Sequence, residues 1–290
     1  MQLEPNFFIV GAAKSGTTSL ASYLGQHPNI FMPHAYMEPA FFADGTGDCA
    51  IEEYLSHFVS EKKINVVGEK SVAYLFDPQA AKRIHAYNRN AKIVIVLREH
   101  VDMAYSFYLH NKREGLEPLQ SFAEALSAED KRFIDEDFSG GVLGYHGNFF
   151  YRRRATYVPQ INRYLDVFPR GQIQILTFED LKQNPVLVSQ KLYRWLGVDD
   201  QLIPNVRAEN RGGTMRMQWV QDFYMQKAWV RHFARLVTPY RFRKMVYKWN
   251  RVHSGSDQIE HDLRLALNPL FEEDKKTLAK SFGITFSKAA

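Results

Sequence analysis

The sequence predicts an α/β fold in three layers, αβα, with a central parallel sheet and a helical C-terminal region. Two observations carry this prediction. Short apolar, β-rich runs recur at Phe7–Val10, Ile64–Val67, Lys92–Leu97 and Gln172–Thr177, each of a length suited to a buried strand. Helical patterns lie between them, at Thr18–Gln26, Ile51–Phe58, Pro78–Tyr87, Val101–Arg113 and Phe149–Phe168. Strands alternating with helices build parallel sheets covered on both faces. Ligands of such sheets sit at the carboxyl ends of the strands. Gly11, Glu69 and Arg98 each follow one of these runs, so the three are expected to point into one crevice.

The first strand leads into the most informative stretch. Gly11 to Gly16 is a small-residue loop holding one cation, Lys14, and the next helix opens with hydroxyls. A strand, a tight loop and a helix start place backbone N–H groups and a positive helix end around a phosphate. Ser15, Thr17, Thr18 and Ser19 supply further donors. The spacing is not that of a nucleotide triphosphatase loop, in which the lysine follows the second glycine; here Lys14 precedes Gly16.

The intermediate elements are less marked. Ala128 to Gly147 is acidic, then glycine-rich, and reads as a long surface loop, either a lid or substrate contact or a disordered spacer. The helix that follows is expected to run to Phe168, before Pro169-Arg170-Gly171. A strand comes next, then Phe178-Glu-Asp-Leu181. Asn184-Pro185 leads into a last helix that ends at Trp195-Leu-Gly-Val198.

Composition sets outer bounds. The 290 residues are 45% apolar and 24% charged, ordinary for a globular chain with its own core. One cysteine, Cys49, permits neither an internal disulfide framework nor a cysteine-based metal site. No apolar run approaches the roughly 20 residues of a membrane span. Met1-Gln-Leu-Glu-Pro lacks the basic start of a signal peptide, so a cytoplasmic location is expected. The net charge of +5 is uneven. Arg211 to Arg251 holds ten Lys and Arg against one acid, Asp222, which makes +9 there and −4 for the remainder. Such a segment suits an anionic cofactor, an acidic substrate or a membrane surface, and equally a solvated helix face.

Three motifs together resemble the sulfotransferases that use 3′-phosphoadenosine 5′-phosphosulfate (PAPS). Lys14-Ser-Gly-Thr-Thr18 is similar to their 5′-phosphosulfate loop, P-K-[ST]-G-T-[ST], with Ala13 in the proline position. Arg98 ends a buried strand and Ser106 follows eight residues later, like the 3′-phosphate motif L-R-x-P-x-x-x-x-x-S-x-Y. A planar guanidinium grips a phosphate with two parallel charge-assisted bonds, though a strand-end arginine also pairs readily with a carboxylate such as Glu99 or Asp102. Glu99 and His100 stand where Asn-Pro is frequent, and Met103 where Arg is frequent. Asn210-Arg211-Gly212-Gly-Thr-Met-Arg216 resembles, more weakly, the loop that closes over the 3′-phosphate. Phe178 aligns with an aromatic near the adenine and is read here as core.

The resemblance implies a P-loop-like fold and a single domain spanning 1–290, with the basic helical segment 214–290 packed on it. It also implies roles. Sulfuryl transfer is an in-line displacement that depends on positioning and charge stabilisation, and no metal is required. Lys14 stabilises the bridging oxygen as the product, 3′-phosphoadenosine 5′-phosphate (PAP), leaves. Tyr36-Met-Glu38-Pro-Ala-Phe-Phe42 looks like the K-E-P-x-F-F segment of heparan-sulfate-type and bacterial relatives, which makes Glu38 the base. Burial beside aromatics is expected to raise its pKa. Met37 replaces the usual lysine there. Gly68-Glu-Lys-Ser-Val-Ala-Tyr74 resembles E-K-[ST]-x-x-Y: Lys70 contacts sulfuryl oxygens or the acceptor, while Glu69 pairs with Lys70 or serves as the base instead. His110, one helical turn after Ser106, matches a family histidine that orients the acceptor.

The expected acceptor is a small molecule with a hydroxyl or amine, such as a natural-product intermediate in a bacterial cell; no nucleic-acid partner is expected. Two other readings stand beside this one. A small-molecule or nucleotide kinase calls for Walker spacing and Mg²⁺ carboxylates after a strand, and neither is seen. A non-catalytic module at an anionic membrane would use the basic, aromatic stretch from Trp219 to Arg251.

Overall fold

The computed structural model describes residues 1–43, 50–134, 149–206, 214–215, 251–252 and 259–286. These residues fall into two compact units. The first takes residues 1–103, 156–206 and 270–286 among those described, and the second takes 104–134, 149–155, 214–215, 251–252 and 259–269.

The first unit is built on one sheet. Its strands are β1 (Phe7–Gly11), β2 (Ile30–Phe31), β3 (Val66–Lys70), β4 (Lys92–Leu97) and β5 (Ile173–Thr177). Their order is β2-β3-β1-β4-β5, and every neighbouring pair is parallel. β1 is buried along its whole length, and β4 is buried from Ile93 onward. This suits central strands covered on both faces, which read as unbroken apolar runs. Burying each Phe or Ile side chain of β1 is worth about 1.5–3 kcal/mol. The chain passes from β3 across β1 to β4, so the crevice lies at the carboxyl ends of those three strands.

The helices of this unit are α1 (Thr17–Leu24), α2 (Ile51–Leu55), α3 (Ala73–Phe76) and α4 (Ala80–Tyr87). α5 (His100–Arg113) contributes its first turn to it. In the second unit come the rest of α5, then α6 (Phe122–Ile134) and α7 (Tyr151–Ala155). α8 (Val158–Leu165), α9 (Phe178–Gln183) and α10 (Pro185–Leu196) return to the first. The C-terminal region is helical, as expected: α11 (His261–Leu267) is followed by α12 (Glu272–Phe282). A short antiparallel pair, β6 (Thr214–Met215) with β7 (Arg251–Val252), belongs to the second unit. Among the described residues no helix is long and apolar enough to cross a membrane.

Several expectations need correction. β2 is a fifth strand with no apolar run to announce it. β3 starts two residues later than expected and runs through Lys70, so Glu69 lies inside the strand, paired across to Phe8, and not beyond its end. The helix expected over Phe149–Phe168 is two, α7 and α8. Pro159 stands in the first turn of α8, where its missing N–H costs nothing, whereas the residue before a proline disfavours helix. The N–H groups of Tyr157 and Val158 donate instead to the Asp274 carboxylate, both at 2.9 Å. The start of the stretch read as a surface loop is helical, since α6 continues to Ile134; residues 135–147 lie outside the described residues.

The second unit has its own buried polar centre. Glu117 has no exposed surface and takes two bonds from the Arg132 guanidinium, at 2.7 and 2.8 Å, and one from the Tyr151 hydroxyl at 2.7 Å. Those donors hold its carboxyl below the usual range despite burial. Around them Tyr108, Phe122 and Tyr151 meet edge to face or tilted.

Candidate active site

The loop after β1 is shaped by its backbone. Gly11 has φ +154°, and a Cβ there would sit 2.6 Å from the Leu75 side chain. Gly16 has φ +80°, and a Cβ there would press on Phe178 at 3.0 Å. Both positions therefore need glycine. Lys14 itself adopts φ +59°, a conformation few non-glycine residues accept. The Ala12 N–H donates to the Val96 carbonyl at 2.7 Å, which ties the loop to β4.

Gly16 is the residue before α1. No side chain caps that helix end, and its first turn contains no acid. The helix itself thus supplies no carboxylate to its own positive end. Ser15 is buried and donates its hydroxyl to the Ala13 carbonyl at 3.2 Å, a bond internal to the loop. Thr17 is also buried, while Thr18 and Ser19 are partly exposed.

Arg98 follows β4 directly. Its guanidinium donates to the Lys14 carbonyl at 3.1 Å and lies over the Phe178 ring, 4.9 Å from the centroid. Phe178 is partly exposed; it bridges Arg98 and Gly16 and is not an ordinary core residue. The Tyr157 hydroxyl donates to the Arg98 carbonyl at 2.8 Å, fixing the main chain there. Glu99 is engaged elsewhere, with Lys275 at 2.9 Å, and that cation and the Asp102 N–H keep its carboxyl low against the effect of burial. The Lys14 loop and Arg98 are thus in contact at the carboxyl ends of the adjacent central strands β1 and β4.

The two candidate glutamates have opposite surroundings. Neighbouring residues of a strand point to opposite faces, and Glu69 and Lys70 are neighbours on β3. Lys70, almost wholly buried, donates to Glu38 Oε1 at 2.6 Å. Glu38 Oε2 accepts the Val72 N–H at 3.1 Å, and 35% of the Glu38 side chain is exposed. Glu69 has no exposed surface. Its Oε1 accepts the hydroxyls of Ser71 and Tyr74, both at 2.7 Å, and its Oε2 accepts that of Tyr54 at 2.6 Å. Burial pushes its carboxyl up to about 7, although the three hydroxyls pull the other way. Two expectations therefore change. The burial among aromatics foreseen for Glu38 falls on Glu69, and Lys70 pairs with Glu38, not with Glu69. Closed off from solvent, Glu69 is not placed to take a proton from an acceptor. The hints in the sequence were Ser71 and Tyr74, two and five residues on from Glu69.

Ser106 and His110 lie on the part of α5 that belongs to the second unit. Ser106 is buried. His110 Nδ1 faces the Arg113 guanidinium at 2.9 Å, and its ring stacks near Phe107. Arg211 and Gly212 lie outside the described residues, as do Cys49 and the basic stretch from Trp219 to Asn250.

A family model described as sulfotransferase domain matches residues 4–228. The bifunctional heparan sulfate N-deacetylase/N-sulfotransferase 1 of Caenorhabditis briggsae is 28% identical over 207 residues, covering 68% of this chain and 23% of that protein. The corresponding Homo sapiens protein 2 is 28% identical over 206 residues, covering 67% and 22%. The chain thus spans less than a quarter of the length of these relatives. Among solved structures, a sulfotransferase from Alicyclobacillus acidocaldarius matches with a TM-score of 0.72 and 30% identity, covering 98% of both chains.

Proposed function

Since the chain belongs to the sulfotransferase family, we propose that it moves a sulfuryl group from PAPS to a hydroxyl or amine of a small molecule. The observation that carries this reading is the contact between Arg98 and the Lys14 loop. PAPS is anionic at both its 5′ and 3′ positions, and the reading needs an anion cradle and a guanidinium side by side. In it, the N–H groups and hydroxyls of Ser15, Gly16, Thr17, Thr18 and Ser19 hold the 5′ end. Arg98 grips the 3′-phosphate.

Glu38 is the base. The acceptor's O–H or N–H proton passes to its exposed carboxylate as the oxygen or nitrogen bonds to sulfur. The bond from sulfur to the 5′-phosphate oxygen breaks, and Lys14 offsets the charge that develops there. Lys70, already held beside Glu38, steadies the carboxylate and the sulfuryl oxygens. The amine option draws support from relatives named as N-sulfotransferases.

The test is calorimetric titration with PAP, followed by transfer of labelled sulfuryl from PAPS to a panel of alcohols, phenols and amines. PAP is expected to bind in the micromolar range, on the scale usual for enzyme substrates. A wild-type chain that binds no PAP overturns the reading.

A further inference from the structure

Glu69 belongs to the motif that resembles the family, yet the chemistry above gives it no task. A carboxylate sealed inside a sheet is costly unless its lone pairs are met by donors. Here three hydroxyls meet it, and each of their owners also touches the segment after Glu38. The Ser71 oxygen that donates to Glu69 accepts the Ala40 N–H at 2.9 Å. The Tyr74 oxygen that donates to Glu69 accepts the Phe42 N–H at 3.2 Å. The Tyr54 ring, whose hydroxyl is the third donor, stacks on Phe41 with centroids 4.5 Å apart and planes 14° from parallel.

We propose that Glu69 is a positioning residue that sets the Glu38 segment in place through Ser71, Tyr74 and Tyr54. The physical step is the direction of each hydroxyl. A hydroxyl carries one proton and two lone pairs. When Glu69 claims the proton, the oxygen can only accept from its other neighbour, here a backbone N–H. Ala40 and Phe42 are thereby fixed to Ser71, just after β3, and to Tyr74 of α3, while Phe41 between them stacks on Tyr54 of α2. The anchoring also holds a strained point: Ala40 has φ +54°, which a non-glycine residue keeps only when its surroundings impose it. Glu38 lies two residues before that point, and Lys70, its ion-pair partner, lies next to Glu69 in the strand. One buried carboxylate thus registers both members of the pair. The inference rests on reading Glu38 as the base.

The experiment compares Glu69→Gln, Ser71→Ala and Tyr74→Phe with the wild-type chain. An amide cannot accept from all three hydroxyls and presents a donor to one of them. Each variant is expected to lower kcat about 10- to 100-fold, the scale of a reacting group misplaced by about an ångström, while PAP affinity stays within about twofold. Amide hydrogen exchange is expected to quicken at Ala40 in Ser71→Ala, at Phe42 in Tyr74→Phe, and at both in Glu69→Gln. Ser71→Thr, which keeps the hydroxyl, is expected to recover most of what Ser71→Ala loses. Wild-type kcat and wild-type exchange in Glu69→Gln would overturn the proposal, as would a kcat loss matched by an equal loss of PAP affinity. Tyr74→Phe keeps the ring and so gives an answer even if Glu69→Gln does not fold. The exchange readout needs no turnover, so a wild-type chain that binds no PAP defeats the function proposed above and leaves the anchoring itself still measurable.

Discussion

Arg98 reaches across 84 positions of sequence to donate a hydrogen bond to the main-chain carbonyl of Lys14, at 3.1 Å. The contact ties the guanidinium to the loop while its plane lies over the Phe178 ring. The loop, with positive φ at Lys14 and Gly16, is tied to β4 a second time by the Ala12 N–H, which donates to the Val96 carbonyl at 2.7 Å.

Arg98 is therefore expected to serve the 3′-phosphate in particular. Arg98→Ala should weaken PAP roughly 10- to 100-fold, the scale of lost hydrogen bonds to a charged group. Binding of adenosine 5′-phosphosulfate, which has no 3′-phosphate, should fall far less. Arg98→Lys should resemble Arg98→Ala, since an ammonium lacks the fork. Calorimetry with the two nucleotides separates the cases, and equal losses for both would mean that Arg98 acts only by holding the Lys14 loop.

Glu38→Gln isolates the base. Proton transfer by a positioned side chain contributes about 10²- to 10⁴-fold, and kcat should fall by that factor. PAP affinity should be unchanged, because Glu38 bonds Lys70 and Val72 and no part of the Lys14 loop. Turnover close to wild type in Glu38→Gln would remove Glu38 from the role.

How much of this was legible in the chain depended on where each partner came from. β1 and β4 were readable because central strands buried on both faces are apolar throughout. The Lys14 loop was readable because its residues are contiguous. β2 was not, since two residues, Ile30 and Phe31, gain strand geometry only by pairing with Val66 and Val67. Gly68-Glu69-Lys70 looked like the end of a strand because its compensation is remote: Tyr54 and Tyr74 answer Glu69, and Glu38 answers Lys70. The split between α7 and α8 was signalled by Pro159, but the carboxylate that receives the freed N–H groups, Asp274, stands more than a hundred residues later.

The second unit offers a stability test that is independent of the chemistry. Glu117 is buried and held by Arg132 and Tyr151. Arg132→Met leaves that carboxylate buried without its cation, which typically costs about 3–5 kcal/mol. Replacing both partners, as in Glu117→Gln with Arg132→Met, should recover a large part of the loss. Urea unfolding of the two variants measures the difference; equal stabilities would show that the pair contributes little.

Glu69 also gives the fold a pH dependence whose sign follows from its surroundings. Its carboxyl titrates near 7 when folded, against 4.5 for an ordinary glutamate. Between those values the folded chain keeps a proton that the unfolded chain has already released. The favourable contribution is complete below about pH 4.5 and declines as pH rises, until it is lost above about 7. Its full size is about 3 kcal/mol at 25 °C. Glu69→Gln carries no such proton. Two other carboxylates, buried Glu129 and half-buried Glu179, are also shifted upward by desolvation, but they remain in the variant, so the difference between the two chains isolates Glu69. Urea unfolding at pH 5 and pH 8 should therefore show the wild-type chain losing about 2.5 kcal/mol more than Glu69→Gln over that interval. Parallel curves would mean that the three hydroxyls hold Glu69 ionised throughout, with its pKa near the ordinary value.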